Sequence, residues 1–243
     1  MEHPGERARG AEDDGMGRLH VQEWGRGERV AVLVHGMTTD AGSWWRMGPE
    51  LAERGYRVLA PDLPGHGESP RGAYTLRGMG EALAESVPRG PELALGHSLG
   101  GTVLAYAVER LRPARAVYED PPWGAPPGPE VAAFLDAQRG WTLERLAAFH
   151  PAWPEQAVRE KHRGLSRWDP ATVEVAREYP GRRRTPPPGP SLVLAGDRQP
   201  MIDEALAGQL RTEGYEVRVV AGAGHNIHND DGDGFLAALD GWL

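Results

Sequence analysis

The stretch LALGHSLGGT, residues 93–102, places one serine between two glycines where an apolar segment changes into a helix-like one. The pattern G-x-S-x-G is that of a nucleophile elbow, a sharp turn from strand to helix that exposes a serine hydroxyl. Glycines on both sides remove side chains that would collide at such a turn. The alternative is a turn with a purely structural role, in which the glycines only make the backbone more flexible. We favour Ser98 as a nucleophile because the pattern joins a strand-like segment to a helix-like one.

Strand-like and helix-like segments alternate along most of the chain, which predicts a doubly wound, mostly parallel α/β sheet. Segment 19–25 alternates polar and apolar residues and is predicted to be an edge strand. Runs rich in valine and leucine predict strands buried on both faces, at 29–36, 56–65, 92–98, 114–122, 191–197 and 215–225. Helical spacing predicts helices over 43–55, 75–87, 99–111, 201–214 and 232–243.

Residues 121–190 interrupt this alternation with helix-like pieces and proline-rich runs. We predict that they form a mainly helical lid over the carboxyl ends of the strands, where open parallel sheets bind ligands. Residues 18–120 and 191–243 are then the core, and residues 1–17 a flexible tail.

Composition narrows the classes of partner. A formal net charge of -8 argues against nucleic acid and against anionic membranes, and no apolar run approaches the roughly 20 residues of a membrane span. The sequence has no cysteine. Segment 228–240 loosely matches a calcium loop, but helix capping explains its Asp and Gly residues more simply. We expect a cytoplasmic protein with a small-molecule substrate and no metal or cofactor; its oligomeric state is not predicted.

A serine nucleophile needs a base, and histidine titrates close to neutral pH. Of the nine histidines, His225 follows the last predicted strand in a glycine-lined loop, at the edge of the sheet where Ser98 also emerges. We therefore predict His225 as the general base, the alternative being a histidine that caps the loop.

Four motifs together resemble those of the α/β-hydrolase family: LVHGM (33–37), PDLPGHGES (61–69), GHSLGG (96–101) and GAGHNI (222–227). The resemblance extends from about residue 19 to the C-terminus. It implies an α/β-hydrolase fold and an oxyanion hole built from the backbone N–H groups of Met37 and Leu99. It also suggests substrate contacts at His35 and Gly36. For Trp123 and Trp141, we expect that they line an apolar pocket under the lid.

The acidic partner of His225 departs from the family's usual position, which holds Gln199 here. Members similar to zearalenone lactonases place the acid after the preceding strand, a location that Glu119 matches. We favour Glu119, with Asp197 as the alternative acid and Asp120 as a third candidate.

These features predict a serine hydrolase that cleaves a carboxylic ester or lactone of a mainly apolar small molecule. Three alternatives use the same residues on another bond: hydrolysis of a C–C bond, acyl transfer, and a cofactor-free lyase step. A fourth is a non-catalytic small-molecule receptor that keeps the fold.

Overall fold

A computed structural model describes residues 17–124, 129–179 and 186–243. Its centre is a seven-stranded sheet, with strands β1 (Val21–Trp24), β2 (Arg29–Val34), β3 (Tyr56–Pro61), β4 (Leu93–His97), β5 (Arg115–Glu119), β6 (Ser191–Gly196) and β7 (Glu216–Val220). The strand order is β1-β3-β2-β4-β5-β6-β7. Strand β1 lies at one edge and pairs antiparallel with β3, and the other neighbouring strands pair in parallel. The predicted mostly parallel sheet and its edge strand are confirmed.

Helices flank the sheet: α1 (Met47–Glu53), α2 (Leu76–Ser86), α3 (Leu99–Leu111), α4 (Pro129–Ala137), α5 (Leu143–Phe149), α6 (Glu155–Ser166), α7 (Glu204–Thr212), α8 (Ile227–Asp230) and α9 (Gly232–Ala238). Short 3₁₀ helices span Ala41–Trp44, Gln138–Gly140 and Pro170–Glu178. No helix within these described ranges is both long and apolar enough to cross a membrane.

The central strands are buried on both faces. Successive residues of a strand point to opposite faces: in β2, Val32 and Val34 pack with α2 and α3, whereas Ala31 and Leu33 pack with α1 and α9. This two-sided burial is the reason that the strands appear in the sequence as continuous apolar runs.

Two helix predictions need correction. The predicted helix at 43–55 is divided into a 3₁₀ turn at Ala41–Trp44 and helix α1. Proline lacks an N–H, so Pro49 fits only the first turn of a helix, and α1 begins two residues before it. The predicted helix at 232–243 ends at Ala238, and Asp231 caps its start by accepting a hydrogen bond from the Gly234 N–H at 2.9 Å.

Between β5 and β6 the described residues form α4, α5, α6 and two of the 3₁₀ helices. Apolar side chains of α5, α6 and the segments that precede them form a separate small cluster around Trp141, Leu146 and Trp153, whereas Val175 of the last 3₁₀ helix packs in the main core. Helix α6 packs on the 3₁₀ turn that follows β2, which brings it to the carboxyl edge of the sheet. Whether this helical region acts as a lid remains a prediction.

Candidate active site

The turn between β4 and α3 holds Ser98 in a strained backbone conformation. Its φ of 52° and ψ of -119° lie in a region that residues other than glycine rarely adopt. The Ser98 N–H donates to the Glu119 carbonyl at 2.9 Å, which fixes the turn to the end of β5. Such strain persists only where the surrounding structure enforces it, and it often accompanies function.

Glycines allow the backbone to pack closely around this serine. A Cβ atom at Gly100 would collide with the carbonyl oxygens of Val34 and His35, and one at Gly96 with the Gly100 carbonyl. A Cβ at Gly36 would lie 3.3 Å from the Ser98 Cβ. The segment after β2 therefore lies directly against the serine, as the predicted elbow requires.

Ser98 and His225 are 127 positions apart in the sequence but lie in contact in the structure. The His225 Nε2 lies 3.0 Å from the Ser98 Oγ, and its Nδ1 lies 2.6 Å from an oxygen of Asp120. Because a carboxylate only accepts hydrogen bonds, Nδ1 carries the ring proton and the Nε2 lone pair faces the serine hydroxyl. The arrangement has the geometry of a nucleophile, a base and an orienting acid.

The carboxylate on His225 is not the one that we favoured. Asp120 occupies that place, and Glu119 points elsewhere. The acid does come from the end of the predicted strand, β5. Neighbouring residues of a strand project to opposite faces of the sheet, so the side chains of Glu119 and Asp120 point in different directions. The φ of 40° at Asp120 then turns the chain at the end of β5, and its carboxylate also accepts hydrogen bonds from the Met201 and Ile202 N–H groups.

Glu119 instead pairs with a second histidine. Its Oε1 accepts hydrogen bonds from the His228 backbone N–H at 2.9 Å and from Nδ1 at 2.8 Å. The other ring nitrogen of His228 faces the Asn229 amide group at 3.0 Å, and the ring lies against Trp44. Both side chains of the pair are almost wholly buried. Glu119 and His228 thus anchor the loop that carries His225.

Asp197, the alternative acid, does not contact His225 in the structure. Its carboxylate accepts a hydrogen bond from the Gly222 N–H at 2.8 Å on the exposed side of the loop. The turn after β6 therefore places Asp197 on the outside of the loop that carries His225.

A small cavity lies beside the serine–histidine pair. It has about 20 Å³ of room, and one water molecule needs roughly 10–15 Å³. Its walls include Met37, Ser43, His97, Trp153, Lys161 and Asn226. His97 and Asn226 are the chain neighbours of Ser98 and His225, although these two residues themselves are not part of the lining. The cavity can hold a small chemical group, while a larger substrate must extend out of it.

The two residues predicted to supply the oxyanion-hole amides are chain neighbours of Ser98 and of Gly36. Leu99 is the first residue of α3, so its N–H has no acceptor inside the helix. Met37 follows Gly36, the residue that lies against Ser98. Within the described ranges, no group of three or more His, Asp or Glu side chains is arranged to hold a metal ion.

Comparison with known proteins agrees with this geometry. Residues 31–238 match the model of the alpha/beta hydrolase family. The chain belongs to this family. Among curated relatives, this α/β-hydrolase is 32% identical over 196 residues to the pimeloyl-(acyl-carrier protein) methyl ester esterase of Methylococcus capsulatus, a match that covers 73% of this chain and 69% of that protein.

Two further similarities concern esterases. The enzyme of the same name from Sodalis glossinidius is 42% identical to this α/β-hydrolase over 96 residues, which cover 39% of this chain but only 37% of that protein. A solved structure of an esterase from Exiguobacterium antarcticum has a TM-score of 0.75 at 18% identity, covering 92% of this chain and 94% of that one. At that identity the structure supports the fold alone.

Three residues predicted to contact substrate have other surroundings in this α/β-hydrolase. His35 is fully buried: its Nδ1 donates to the Gly36 carbonyl at 2.7 Å, and its Nε2 accepts from the Leu63 N–H at 2.9 Å. Trp123 packs in the core against two tyrosines. Trp141 packs among the residues of the helical region. None of these three residues lines the cavity. The sequence does not show which neighbours surround a histidine or a tryptophan in the folded protein.

Two residues of the cavity wall, Trp153 and Lys161, were not among the predicted substrate contacts. Trp153 stacks on His150 and donates a hydrogen bond from Nε1 to an Asp230 oxygen at 2.6 Å. This bond links the helical region to α8, the helix that follows His225. Lys161 of α6 contributes an amine. Lysine occurs only once in the whole sequence, and this is the signal that could have drawn attention to it.

Proposed function

We propose that this α/β-hydrolase cleaves a carboxylic ester or lactone of a small, mainly apolar molecule through a serine-bound acyl intermediate. One observation carries the proposal: the hydrogen-bonded series Ser98, His225 and Asp120 at a strained strand-to-helix turn. The curated relatives named methyl ester esterases support ester bonds as the target.

In the first half of the reaction, the Ser98 Oγ attacks the ester carbonyl carbon as its proton passes to the His225 Nε2. The resulting imidazolium is stabilised by the Asp120 carboxylate at Nδ1. The carbonyl electron pair returns, the bond to the alcohol oxygen breaks, and His225 gives that oxygen its proton. In the second half, His225 takes a proton from water as the water oxygen attacks the acyl carbon. The bond between that carbon and the Ser98 Oγ then breaks, His225 returns the proton to the Oγ, and the acid is released.

Negative charge develops on the carbonyl oxygen during both attacks. In our proposal the backbone N–H groups of Met37 and Leu99 bind this oxygen. A donor aimed at the developing charge contributes about 3 kcal/mol to transition-state stabilisation. The close packing of Gly36 against Ser98 supports this arrangement.

The decisive experiment replaces the nucleophile. Ser98→Ala should lower kcat for p-nitrophenyl esters by about 10⁴-fold or more, because loss of the attacking oxygen removes the covalent route. The matched control is Ser166→Ala, which removes an exposed hydroxyl from α6. Circular dichroism and thermal unfolding should show the same fold for both variants. Turnover by Ser98→Ala at more than a few per cent of the wild-type rate would contradict the proposal.

Product analysis separates the alternatives that use the same residues. Hydrolysis in ¹⁸O-water places the label in the acid product, whereas acyl transfer places an unlabelled acyl group on another acceptor and a lyase step incorporates no oxygen from water. Cleavage of a C–C bond yields no alcohol. A receptor would bind a small molecule equally well before and after Ser98→Ala and turn over none of these esters.

A further inference from the structure

Lys161 is the single lysine among the 27 lysine and arginine residues of the chain. It lies on α6 and lines the cavity beside the serine–histidine pair. Its ammonium group donates hydrogen bonds to the Thr38 hydroxyl and to the Thr38 carbonyl, the latter at 3.3 Å. Thr38 follows Met37 directly, so the amine lies next to the segment that we propose binds the oxyanion.

The surroundings of Lys161 differ from those of another cation on the same helix. Arg163 Nη2 lies 2.9 Å from a carboxylate oxygen of the buried Asp40. In the described part of the chain, no carboxylate lies within 4 Å of the Lys161 nitrogen. Arg163 is therefore neutralised within the protein, and Lys161 has only uncharged partners.

A second polar group of the cavity also lacks a partner. The hydroxyl of Ser43, a residue that is only 8% exposed, makes no hydrogen bond within the described ranges. A buried hydroxyl without a partner is costly, so such groups commonly mark the place of a ligand or a water. Ser43 and Lys161 line the same cavity.

We propose that Lys161, together with the Ser43 hydroxyl, forms a subsite for a carboxylate group of the substrate. The inference rests on the proposed ester hydrolysis and defines its substrate class: esters that carry a free carboxylate a few bonds from the reacting carbonyl. The carboxylate supplies the negative charge that Lys161 lacks and accepts the hydrogen bond that Ser43 does not otherwise make.

The size of the cavity agrees with this assignment. About 20 Å³ suffices for one small polar group, so the ester itself must lie outside, towards Ser98. The carboxylate and the ester therefore belong to the two ends of a short molecule, such as a half-ester of a dicarboxylic acid. The rest of the substrate can still be mainly apolar.

Lysine also suits this place better than arginine because its charge can respond to a ligand. Burial lowers the pKa of Lys161 to about 7, since desolvation disfavours the ammonium form. Arginine stays protonated in such surroundings. A bound carboxylate favours the ammonium form and should raise the pKa again by about 1–3 units.

Four histidines that interact electrostatically with Lys161 are uncharged in this pH range, and Asp40 is ionised. Burial lowers the pKa of His66 to about 3 and that of the half-buried His150 to about 4, and it also lowers those of His35 and His97. These histidines remain neutral near pH 7. Burial alone would raise the pKa of Asp40, but hydrogen bonding and the charge of Arg163 outweigh it and keep Asp40 ionised.

A kinetic comparison tests the subsite. Monomethyl glutarate carries the carboxylate, and dimethyl glutarate is its neutral counterpart, larger by one methyl group. Methanol release is followed by proton NMR at pH 6.5. The ratio of kcat/KM for the charged ester to that for the neutral one should fall about 30-fold or more in Lys161→Met, because a buried charge loses its partner. The monomethyl esters of succinate and adipate define the preferred spacing.

Arg163→Met is the matched control, because it removes a cation two residues away on the same helix. It should change the ratio by less than about threefold, since Asp40 already neutralises Arg163. A Lys161→Met variant that loses activity equally on both esters would overturn the subsite and leave Lys161 as a residue that positions Thr38. An unchanged ratio would overturn the proposal as well.

A binding measurement is independent of turnover. In Ser98→Ala protein labelled with ¹³Cε-lysine, the single lysine gives one side-chain NMR signal, and its pH titration should move upward by one unit or more when glutarate is added. A midpoint that glutarate does not move would overturn the subsite. If the wild-type enzyme hydrolyses neither ester, the proposed function fails, while this titration still decides whether Lys161 binds a carboxylate.

Discussion

Two carboxylate–histidine pairs, made from neighbouring residues, lie side by side at the carboxyl edge of the sheet. Glu119 and Asp120 are consecutive at the end of β5, and their partners are three positions apart, His225 in the loop after β7 and His228 in α8. The His225 side chain is 26% exposed and reaches Ser98. The His228 side chain is 2% exposed, and its second ring nitrogen faces the Asn229 amide group.

The difference separates a histidine–carboxylate pair that can serve the proposed reaction from one that can only be structural. Chemistry requires that the second ring nitrogen face a reacting group and that substrate can approach it. Only the pair of Asp120 and His225 meets both conditions. The buried pair holds in place the backbone that the other pair needs, because the His228 N–H is bonded to Glu119.

Among substitutions in the two pairs, the largest expected effect follows from removing the charge of Asp120. Asp120→Asn should lower kcat for a p-nitrophenyl ester by about 10³–10⁴-fold, because the amide neither stabilises the imidazolium nor enforces the tautomer with the proton on Nδ1. The asparagine oxygen can still accept the Met201 and Ile202 N–H groups, so the fold should persist. Steady-state kinetics together with thermal unfolding measure both outcomes.

Retention of more than a tenth of the wild-type kcat by Asp120→Asn would contradict the role of Asp120 as the acid of the reaction. It would mean that another carboxylate orients His225 in solution. The Asp120→Asn/Glu119→Gln double variant then identifies it: an additional large loss of kcat would assign the role to Glu119, as the sequence had suggested.

Glu119→Gln should affect stability rather than chemistry. The glutamine oxygen can take the place of Oε1, but its NH₂ group then takes the place of Oε2, 2.9 Å from Nδ1 of His228, and faces that N–H group. An unsatisfied buried donor costs about 1–3 kcal/mol. For a chain of this size, that corresponds to a decrease in Tm of about 2–12 °C, measured by calorimetry. The kcat should remain within about threefold of the wild-type value at temperatures where the variant is folded. A 100-fold loss of kcat in a fully folded variant would place Glu119 in the reaction.

The features that could be predicted from the sequence depend on local rules. The turn at Ser98 follows from glycines on both sides of a serine between a strand pattern and a helix pattern. His225 follows from its place after the last strand, because the carboxyl ends of parallel strands meet at one edge. Both interpretations use positions along the chain and need no knowledge of side-chain direction.

The acid and the cavity depend on details that the sequence does not display. The choice between Glu119 and Asp120 depends on the face to which each side chain points and on the positive φ at Asp120. The cavity exists because α6 packs on the turn after β2, a contact between segments about 120 residues apart. Trp123 and Trp141 show the same limit: their size predicted a pocket, whereas their neighbours make them part of the packing.

The smallest expected effect is that of replacing Asp197. This residue is a third carboxylate for the comparison, because it is hydrogen-bonded to the loop that carries His225. Asp197→Asn keeps an oxygen that can accept the Gly222 N–H, at an exposed position. We expect a change in kcat within about twofold and a change in unfolding free energy within about 0.5 kcal/mol, as for most surface substitutions.

The matched control for Asp197→Asn is Asp203→Asn, in which a carboxylate that caps α7 through the Leu206 N–H is replaced by an equally good cap. Both variants should behave alike in kinetics and thermal unfolding, because each keeps its hydrogen bond and neither carboxylate contacts His225. A loss of kcat confined to Asp197→Asn would show that the loop after β7 moves His225 towards Asp197 during turnover. Asp120 would then orient the base only in the resting enzyme, and the contrast between the two buried carboxylates would no longer explain catalysis.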